Sequence, residues 1–246
     1  MNPLSLFWRE LIYRPLFNAL VFIYVALPFQ DLGLAIFVLT LAVRIVLHPF
    51  IVQTVRSQAA MARVSPKLRE IQTKFKNDRE AQARETMALY RAEGVHPLSG
   101  CLPLLVQLPI LIGLYQVFWK GIALADASLL YAFLPAFEGF NSVSLGFFDL
   151  AQRSTALAIA AGASQFLQSK FLPQPVPSGG GRGDFGRALA WQTTYILPLF
   201  IVVISWSLPS ALAFYWTVLN LLAIVQQLII QKRLTPLQPD APTSSR

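Results

Sequence analysis

The sequence has few of the residues from which catalytic and metal centres are built. It contains one cysteine, Cys101, and two histidines among 246 residues. A single cysteine cannot form an intrachain disulfide, so cysteine pairing says nothing about the compartment. His48 and His96 have no cysteine or carboxylate at metal-ligand spacing, and no serine has an obvious base partner. We therefore predict a protein that is not an enzyme, with no catalytic residues, no metal site and no cofactor.

Charged residues are also scarce. They make up 13% of the chain, whereas a soluble domain carries about a quarter. No Asp, Glu, Lys or Arg occurs in the 44 residues from 188 to 231, or in the 26 residues from 94 to 119. A helix needs about 20 apolar residues to cross a bilayer, so these runs hold two spans and one span. The composition predicts an all-α, polytopic membrane protein.

Five long apolar segments divide the chain. We predict spans at about 32–53, 98–119, 155–172, 191–208 and 211–231. The run 16–29 has only 14 residues, which favours an amphipathic helix in the membrane interface, although a sixth span stays open as the alternative. The predicted organisation is an N-terminal segment 1–30, a core 31–232 and a short disordered tail 233–246. Within the core, the Pro- and Gly-rich segment 173–190 is predicted to be a flexible loop.

The distribution of basic residues sets the orientation. Segment 51–97 has nine basic and five acidic side chains, and segments 170–187 and 232–246 each carry a net charge of +2. Segment 1–31 is neutral and segment 120–153 carries −1. Five spans place all three basic segments on one face, which the positive-inside rule makes cytoplasmic. The N-terminus is then outside and the C-terminus inside, and the net charge of +8 needs no nucleic-acid partner.

The segment 54–97 is predicted to form a cytoplasmic helical hairpin. Ser65-Pro66 is typical of a helix start, and Asn77 followed by Glu80 resembles a capping box. These signals predict antiparallel helices at about 66–76 and 79–92, the second with an apolar stripe of Ala83, Met87 and Tyr90. The hairpin either only connects two spans or forms a docking platform for a cytoplasmic partner, and the pattern leaves both open.

Arg44 lies near the middle of the first predicted span. At about 1.5 Å per residue, Arg44 is about 18 Å from the outer end of the span. At that depth, a guanidinium that is exposed to hydrocarbon costs about 3 kcal/mol. No carboxylate occurs in the five apolar runs, so its partners must be water or neutral polar groups. The candidates are Thr40, Gln107, Gln165, Gln168, Thr217, Asn220, Gln226 and Gln227. They predict a hydrated cavity around Arg44; the alternative is a side chain that snorkels to the headgroups.

Three strings resemble a known family. They are "LTLAVRIVLHPF", "MALYRAEGVHPLSGCLPLLVQLPILIGLYQVF" and "LPSALAFYWTVLNLLAIVQQLII". Together with the order of apolar runs, they resemble the YidC-type membrane protein insertases, relatives of the Oxa and Alb proteins, over about residues 10–233. The middle string is the most specific. One departure is Ala211, which replaces a glycine that often follows "PS" in the family.

The resemblance implies a fold and a function. It implies a five-span helical bundle with an interfacial N-terminal helix, around a hydrophilic groove that opens to the cytoplasm and to lipid. Arg44, Thr40 and Gln107 match groove residues of the family, and Tyr215 and Trp216 match an aromatic pair beside the substrate path. Such a protein inserts and helps fold nascent membrane proteins in the bacterial plasma (inner) membrane, alone or with the Sec translocon. The hairpin 54–97 would receive substrates, ribosomes or signal recognition targeting factors.

Two other functions are compatible with the residues themselves. An intramembrane arginine could be the anion site of a small-molecule or ion transporter, but internal repeats would favour that class and none is evident. The third hypothesis is a structural assembly factor, which holds spans together without inserting them.

Overall fold

The fold is predominantly helical. The computed structural model of the chain describes residues 3–94, 102–121, 129–135, 137–171 and 191–234. Its helices are α1 (Pro3–Trp8), α2 (Arg14–Ala26), α3 (Leu32–Val46), α4 (His48–Lys74), α5 (Arg79–Ala92), α6 (Leu102–Gln116), α7 (Thr155–Phe171), α8 (Leu197–Ser207) and α9 (Ser210–Leu234). The π-helical turns are Arg9–Tyr13, Val117–Gly121 and Gln192–Ile196. The all-α prediction is thereby confirmed in its coarse form. Outside the described residues lie His96, Cys101, the start of the second predicted span, the loop 173–190 and most of the tail.

Membrane-length helices are fewer than the predicted spans. Among the described residues, Ser210–Arg233 is long and apolar enough to cross a bilayer by itself, and α3 with α4 passes the same test as a bent pair. Two shorter apolar helices cover Gln107–Trp119 and Gln192–Ser207. Large apolar side chains are exposed along these elements, among them Ile45, Val46, Leu199, Phe200, Val203, Trp206 and Val225. Apolar exposure on this scale marks contact with a membrane or a partner. The count of five spans stays a prediction.

The first predicted span is broken at Leu47. α3 ends at Val46, α4 begins at His48, and their axes differ by 64°. Pro49 explains the break, because proline has no N–H to donate to the carbonyl of Ile45 and its ring clashes with that carbonyl in a continuous helix. The segment 32–53 is therefore not one continuous helix, and its prediction as a membrane span stays a prediction.

The hairpin begins earlier than the sequence indicates. α4 runs through Pro66 without interruption, so the predicted helix start at Ser65-Pro66 was wrong. Pro66 cannot donate to the carbonyl of Ala62, a loss that packing against α5 offsets. Met61, Val64, Leu68 and Tyr90 form the buried cluster between α4 and α5.

Asp78, not Asn77, caps the second hairpin helix. Its carboxylate accepts a 3.0 Å hydrogen bond from the backbone N–H of Ala81 at the start of α5. The buried face of α5 carries Thr86 and Tyr90, whereas Met87 is exposed. Of the apolar stripe predicted for this helix, Tyr90 thus lies on the packed face of α5 and Met87 does not.

A short β-hairpin covers the N-terminus of α3. Strand β1 (Val143–Ser144) pairs antiparallel with β2 (Phe148–Asp149), and the turn has positive φ at Leu145 and Gly146. Asp31 accepts hydrogen bonds from Ser144 Oγ (2.6 Å) and Leu145 N (2.6 Å), and caps α3 by accepting from Leu34 N (2.8 Å). Burial by itself would raise the pKa of Asp31, but these hydrogen bonds outweigh it and hold the pKa below its ordinary value.

The same hairpin holds the start of α9. Ser210 donates its Oγ hydrogen to the carbonyl of Asp149 (3.0 Å) and its backbone N–H to that of Gln152 (2.9 Å). α3 and α9, which both line the site described below, are therefore fixed at this end by one element.

α2 and α7 complete the packing. Phe17, Leu20 and Val21 of α2 are buried in the main core, which α3 also enters. The location of α2 in the membrane interface stays a prediction.

Gly162 of α7 lies against α8. A methyl group added at Gly162 would be 2.2 Å from Val202 Cγ2 and 2.9 Å from the carbonyl oxygen of Pro198. This close approach requires glycine.

Candidate functional site

A pocket lies where α3, α4, α6 and α9 meet. Its volume is about 340 Å³, including its open mouth, and it is lined by Leu39, Thr40, Val43, Arg44, Leu47, Ile51, Gln107, Ile110, Leu114, Tyr215 and Leu219. The lining begins part-way along α3 and continues past the bend at Leu47. The earlier α3 residues Leu32 and Ile36 are buried in the core. The packed core therefore separates the pocket from the β-hairpin.

Arg44 supplies the positive charge of the pocket. Its Nη1 donates a 2.5 Å hydrogen bond to Oε1 of Gln226 on α9, while its Nε is buried and has no hydrogen-bond partner among the described residues. The ion pairs found in the described part of the chain involve Arg9, Arg14 and Lys67, not Arg44. The guanidinium thus has an amide rather than a carboxylate as its partner. Its remaining donors suit a carboxylate that enters the pocket.

Three more of the predicted groove residues line the same pocket. Gln107 of α6 donates from Nε2 to the hydroxyl of Tyr215 on α9 at 2.8 Å. Tyr215 is almost fully buried, with 1% of its surface exposed. Thr40 lies one turn before Arg44 and donates its hydroxyl hydrogen to the carbonyl of Ile36 at 2.6 Å. The hydroxyl of Thr40 is therefore satisfied within its own helix.

Trp216 is placed differently from its neighbour Tyr215. Its Nε1 donates to Oε1 of Gln165 on α7 at 3.0 Å, and it does not belong to the pocket lining. Successive residues of a helix point about 100° apart, so one side chain of the pair enters the pocket and the other meets α7. Asn220 follows Trp216 by one turn and donates to Ser164 of α7 at 3.1 Å. Gln165 and Asn220, two of the polar groups expected around Arg44, thus form hydrogen bonds between α7 and α9 instead.

The structure selects one partner for Arg44 from the polar candidates. Gln226 follows Tyr215 by eleven residues, about three helical turns, so both lie on the same face of α9. That spacing could have identified Gln226 from the sequence. The contact of its Nε2 with Nδ1 of His48, at 2.8 Å, could not have been identified, because it depends on the bend at Leu47.

Comparison with known proteins places the chain in a family. The model of the family described as 60Kd inner membrane protein matches residues 24–237. The chain is 34% identical over 203 residues to the membrane protein insertase YidC of Fusobacterium nucleatum, covering 82% of this chain and 87% of that protein. It is 30% identical over 231 residues to the membrane protein insertase MisCA of Bacillus subtilis, covering 92% of this chain and 79% of that protein.

A longer relative shows the same match over a smaller share of its length. The membrane protein insertase YidC of Pasteurella multocida is 35% identical over 227 residues, which cover 92% of this chain and 38% of that protein. The names of these three relatives give no support to the transporter alternative. The family model and the relatives agree that the chain belongs to the 60Kd inner membrane protein family, that of the YidC-type membrane protein insertases.

Proposed function

We propose that the chain is a membrane protein insertase that uses the pocket around Arg44 as a hydrophilic groove. The observation that carries the proposal is a partly buried guanidinium, hydrogen-bonded to a neutral amide, inside a bundle with extensive apolar exposure. The relatives named above support it, because all three carry the name of membrane protein insertase.

The groove lowers the barrier for polar residues of a substrate. An acidic residue costs about 3 kcal/mol at the centre of a spanning helix, so a short acidic tail crosses hydrocarbon slowly. A pocket that reaches part-way into the bundle shortens the apolar layer, and the donors of Arg44 attract the carboxylates. The apolar segment of the substrate then moves sideways into lipid, and its burial there drives the reaction. The process is a facilitated partition and requires no chemical step.

The proposed topology follows from charge and from the position of the pocket. Five spans place the N-terminus outside, the hairpin α4–α5 in the cytoplasm and the pocket mouth on the hairpin side, in a bacterial plasma membrane. The hairpin is highly charged and exposes Met87, which suits a docking platform for nascent chains and for a ribosome or targeting factor. The Sec translocon is a further proposed partner.

Insertion by the purified chain tests this proposal. The chain is reconstituted into lipid vesicles and offered a single-span reporter with a short acidic N-terminal tail, whose translocation is read by protection from protease. We expect more protection than in protein-free vesicles, and less with Arg44→Ala than with the control Arg233→Ala, an exposed arginine at the end of α9. Equal protection with and without the chain would overturn the proposal. Stabilisation of a pre-inserted reporter without any translocation would instead identify an assembly factor.

A further inference from the structure

Gln226 connects two residues on opposite sides of the bend at Leu47. From α9, its Oε1 accepts a hydrogen bond from Arg44 near the end of α3, and its Nε2 lies 2.8 Å from Nδ1 of His48, the first residue of α4. One amide thus joins the groove arginine to the helix that leads into the hairpin.

The chemistry of the three groups allows one arrangement of protons. A guanidinium has only donors, so the amide oxygen of Gln226 must face Arg44. The amide nitrogen then faces His48 and donates, which requires Nδ1 to be an unprotonated acceptor. In this arrangement the imidazole of His48 carries its hydrogen on Nε2. Each group in the chain Arg44–Gln226–His48 fixes the orientation of the next.

We infer that Gln226 is a positioning residue for Arg44, and that His48 orients the amide that does this. The inference rests on the proposed function and names the residues that keep the guanidinium directed into the groove. Arg44 has a long flexible side chain and no carboxylate partner in the described structure, so without an acceptor it can extend along α3 toward the headgroups. A neutral acceptor prevents this while it leaves the full positive charge available for an acidic segment of a substrate.

Three variants separate these roles. Gln226→Met keeps the length of the side chain but removes both hydrogen bonds. Gln226→Glu keeps an acceptor for Arg44 but neutralises its charge. Gln227→Met is the matched control, because Gln227 is the adjacent glutamine and the contacts to Arg44 and His48 are made by Gln226. Two reporters are used with each, one with an acidic tail and one with a neutral tail.

The expected pattern depends on the charge of the reporter. Gln226→Met should lower insertion of the acidic-tailed reporter at least about threefold, the scale of coupling between residues in one network, and should change the neutral-tailed reporter much less. Gln226→Glu should lower the acidic-tailed reporter by at least as much, and Gln227→Met should resemble the unaltered chain. Equal losses for the two reporters, or an equal effect of Gln227→Met, would overturn the inference.

A double-variant cycle distinguishes positioning from a general structural effect. In an Arg44→Ala background, Gln226→Met should cause no further loss, because there is no guanidinium left to position. Additive losses would overturn the inference. His48→Phe removes the acceptor and should lower insertion of the acidic-tailed reporter, but less than Gln226→Met does. His48→Asn, whose Oδ1 can replace Nδ1, should insert this reporter as well as the unaltered chain does.

A spectroscopic measurement keeps the inference separate from the proposed function. With ¹⁵N-labelled histidine in the chain in bilayers near neutral pH, Nδ1 of His48 should show the shift of an unprotonated, hydrogen-bonded nitrogen. Gln226→Met should change that shift, and His48→Asn assigns it. If Nδ1 of His48 shows this shift and Gln226→Met changes it, but the chain inserts neither reporter, the proposed function is wrong and the positioning of Arg44 by Gln226 is still supported. A protonated Nδ1 in the unaltered chain, or an unchanged shift in Gln226→Met, would overturn the inference alone.

Discussion

Gln107 and Tyr215 meet across the pocket, where Nε2 of the glutamine donates to the tyrosine hydroxyl at 2.8 Å. The pair joins α6 to α9 beside Arg44, and the side chain of Tyr215 is almost fully buried there. A hydrogen bond in such surroundings stabilises the packing of two helices, and its loss leaves the amide without that partner.

Tyr215→Phe should therefore destabilise the bundle by about 1 kcal/mol. The expected result is a lower thermal unfolding midpoint of the purified chain in detergent. Tyr195→Phe is the control, because the hydroxyl of Tyr195 accepts from Lys170 at an exposed position. Equal shifts for the two variants would contradict a specific role for the buried pair.

Arg44 should act through its charge. Arg44→Lys retains a cation and should insert an acidic-tailed reporter better than Arg44→Glu does, by about tenfold, which corresponds to about 1.4 kcal/mol. The difference should shrink with a neutral-tailed reporter. Protease protection in vesicles measures both, and equal activity of the two variants on the acidic tail would contradict the electrostatic account.

Asp31 should contribute stability that depends on pH. Because the pKa of the folded carboxyl lies below its ordinary value of 3.8, the contribution is fully present above that pH. It is lost as the pH falls through the lower pKa of the folded state. At pH 7, Asp31→Ala should lower the stability by about 1 kcal/mol, as loss of a helix cap does.

Unfolding midpoints at pH 7 and under strongly acidic conditions check this prediction. The gap between Asp31→Asn and the unaltered chain should narrow in acid, whereas the control Glu138→Gln, at an exposed carboxylate, should show no gap at either pH. A gap for Asp31→Asn that does not change with pH would mean that the hydrogen bonds to Ser144 and Leu145 are not responsible.

Gly162→Ala should separate α7 from α8. The added methyl would meet Val202 and the carbonyl of Pro198, so the variant should lose about 1–3 kcal/mol of stability. Ala163→Val is the control, since it adds bulk at the exposed neighbouring position. Val202→Ala should recover part of the loss, because the contact with the Pro198 carbonyl remains. A full recovery would show that the backbone contact is unimportant.

Much of the site could be predicted from the sequence. A lone arginine without any carboxylate in the apolar runs pointed to a polar cavity, and the family resemblance selected Thr40, Gln107 and Tyr215, which the structure brings to the same pocket as Arg44. Trp216 shows the limit of the approach. Adjacent residues share a motif in the sequence but face different neighbours on a helix, and the motif does not tell which neighbour each one meets.

The parts that could not be predicted depend on tertiary context. Pro66 was interpreted as a helix start because proline is favoured there, yet packing of Val64 and Leu68 against α5 keeps α4 continuous through it. The break lies next to Pro49 instead, and hydropathy does not indicate it because the apolar run continues past this proline. The β-hairpin has two-residue strands, too short for any alternation to be visible.

The bend at Leu47 allows a small change of angle to move the far end of α4 over a long distance. With 27 residues, this helix is about 40 Å long, so a rotation of about 10° at Leu47 would displace its far end by about 7 Å. Leu47 lies next to the contact between His48 and Gln226. At this contact the same rotation would displace the atoms by only a fraction of an ångström. A large movement of the far end of α4 would therefore correspond, at this contact, to a displacement comparable to making or breaking one hydrogen bond.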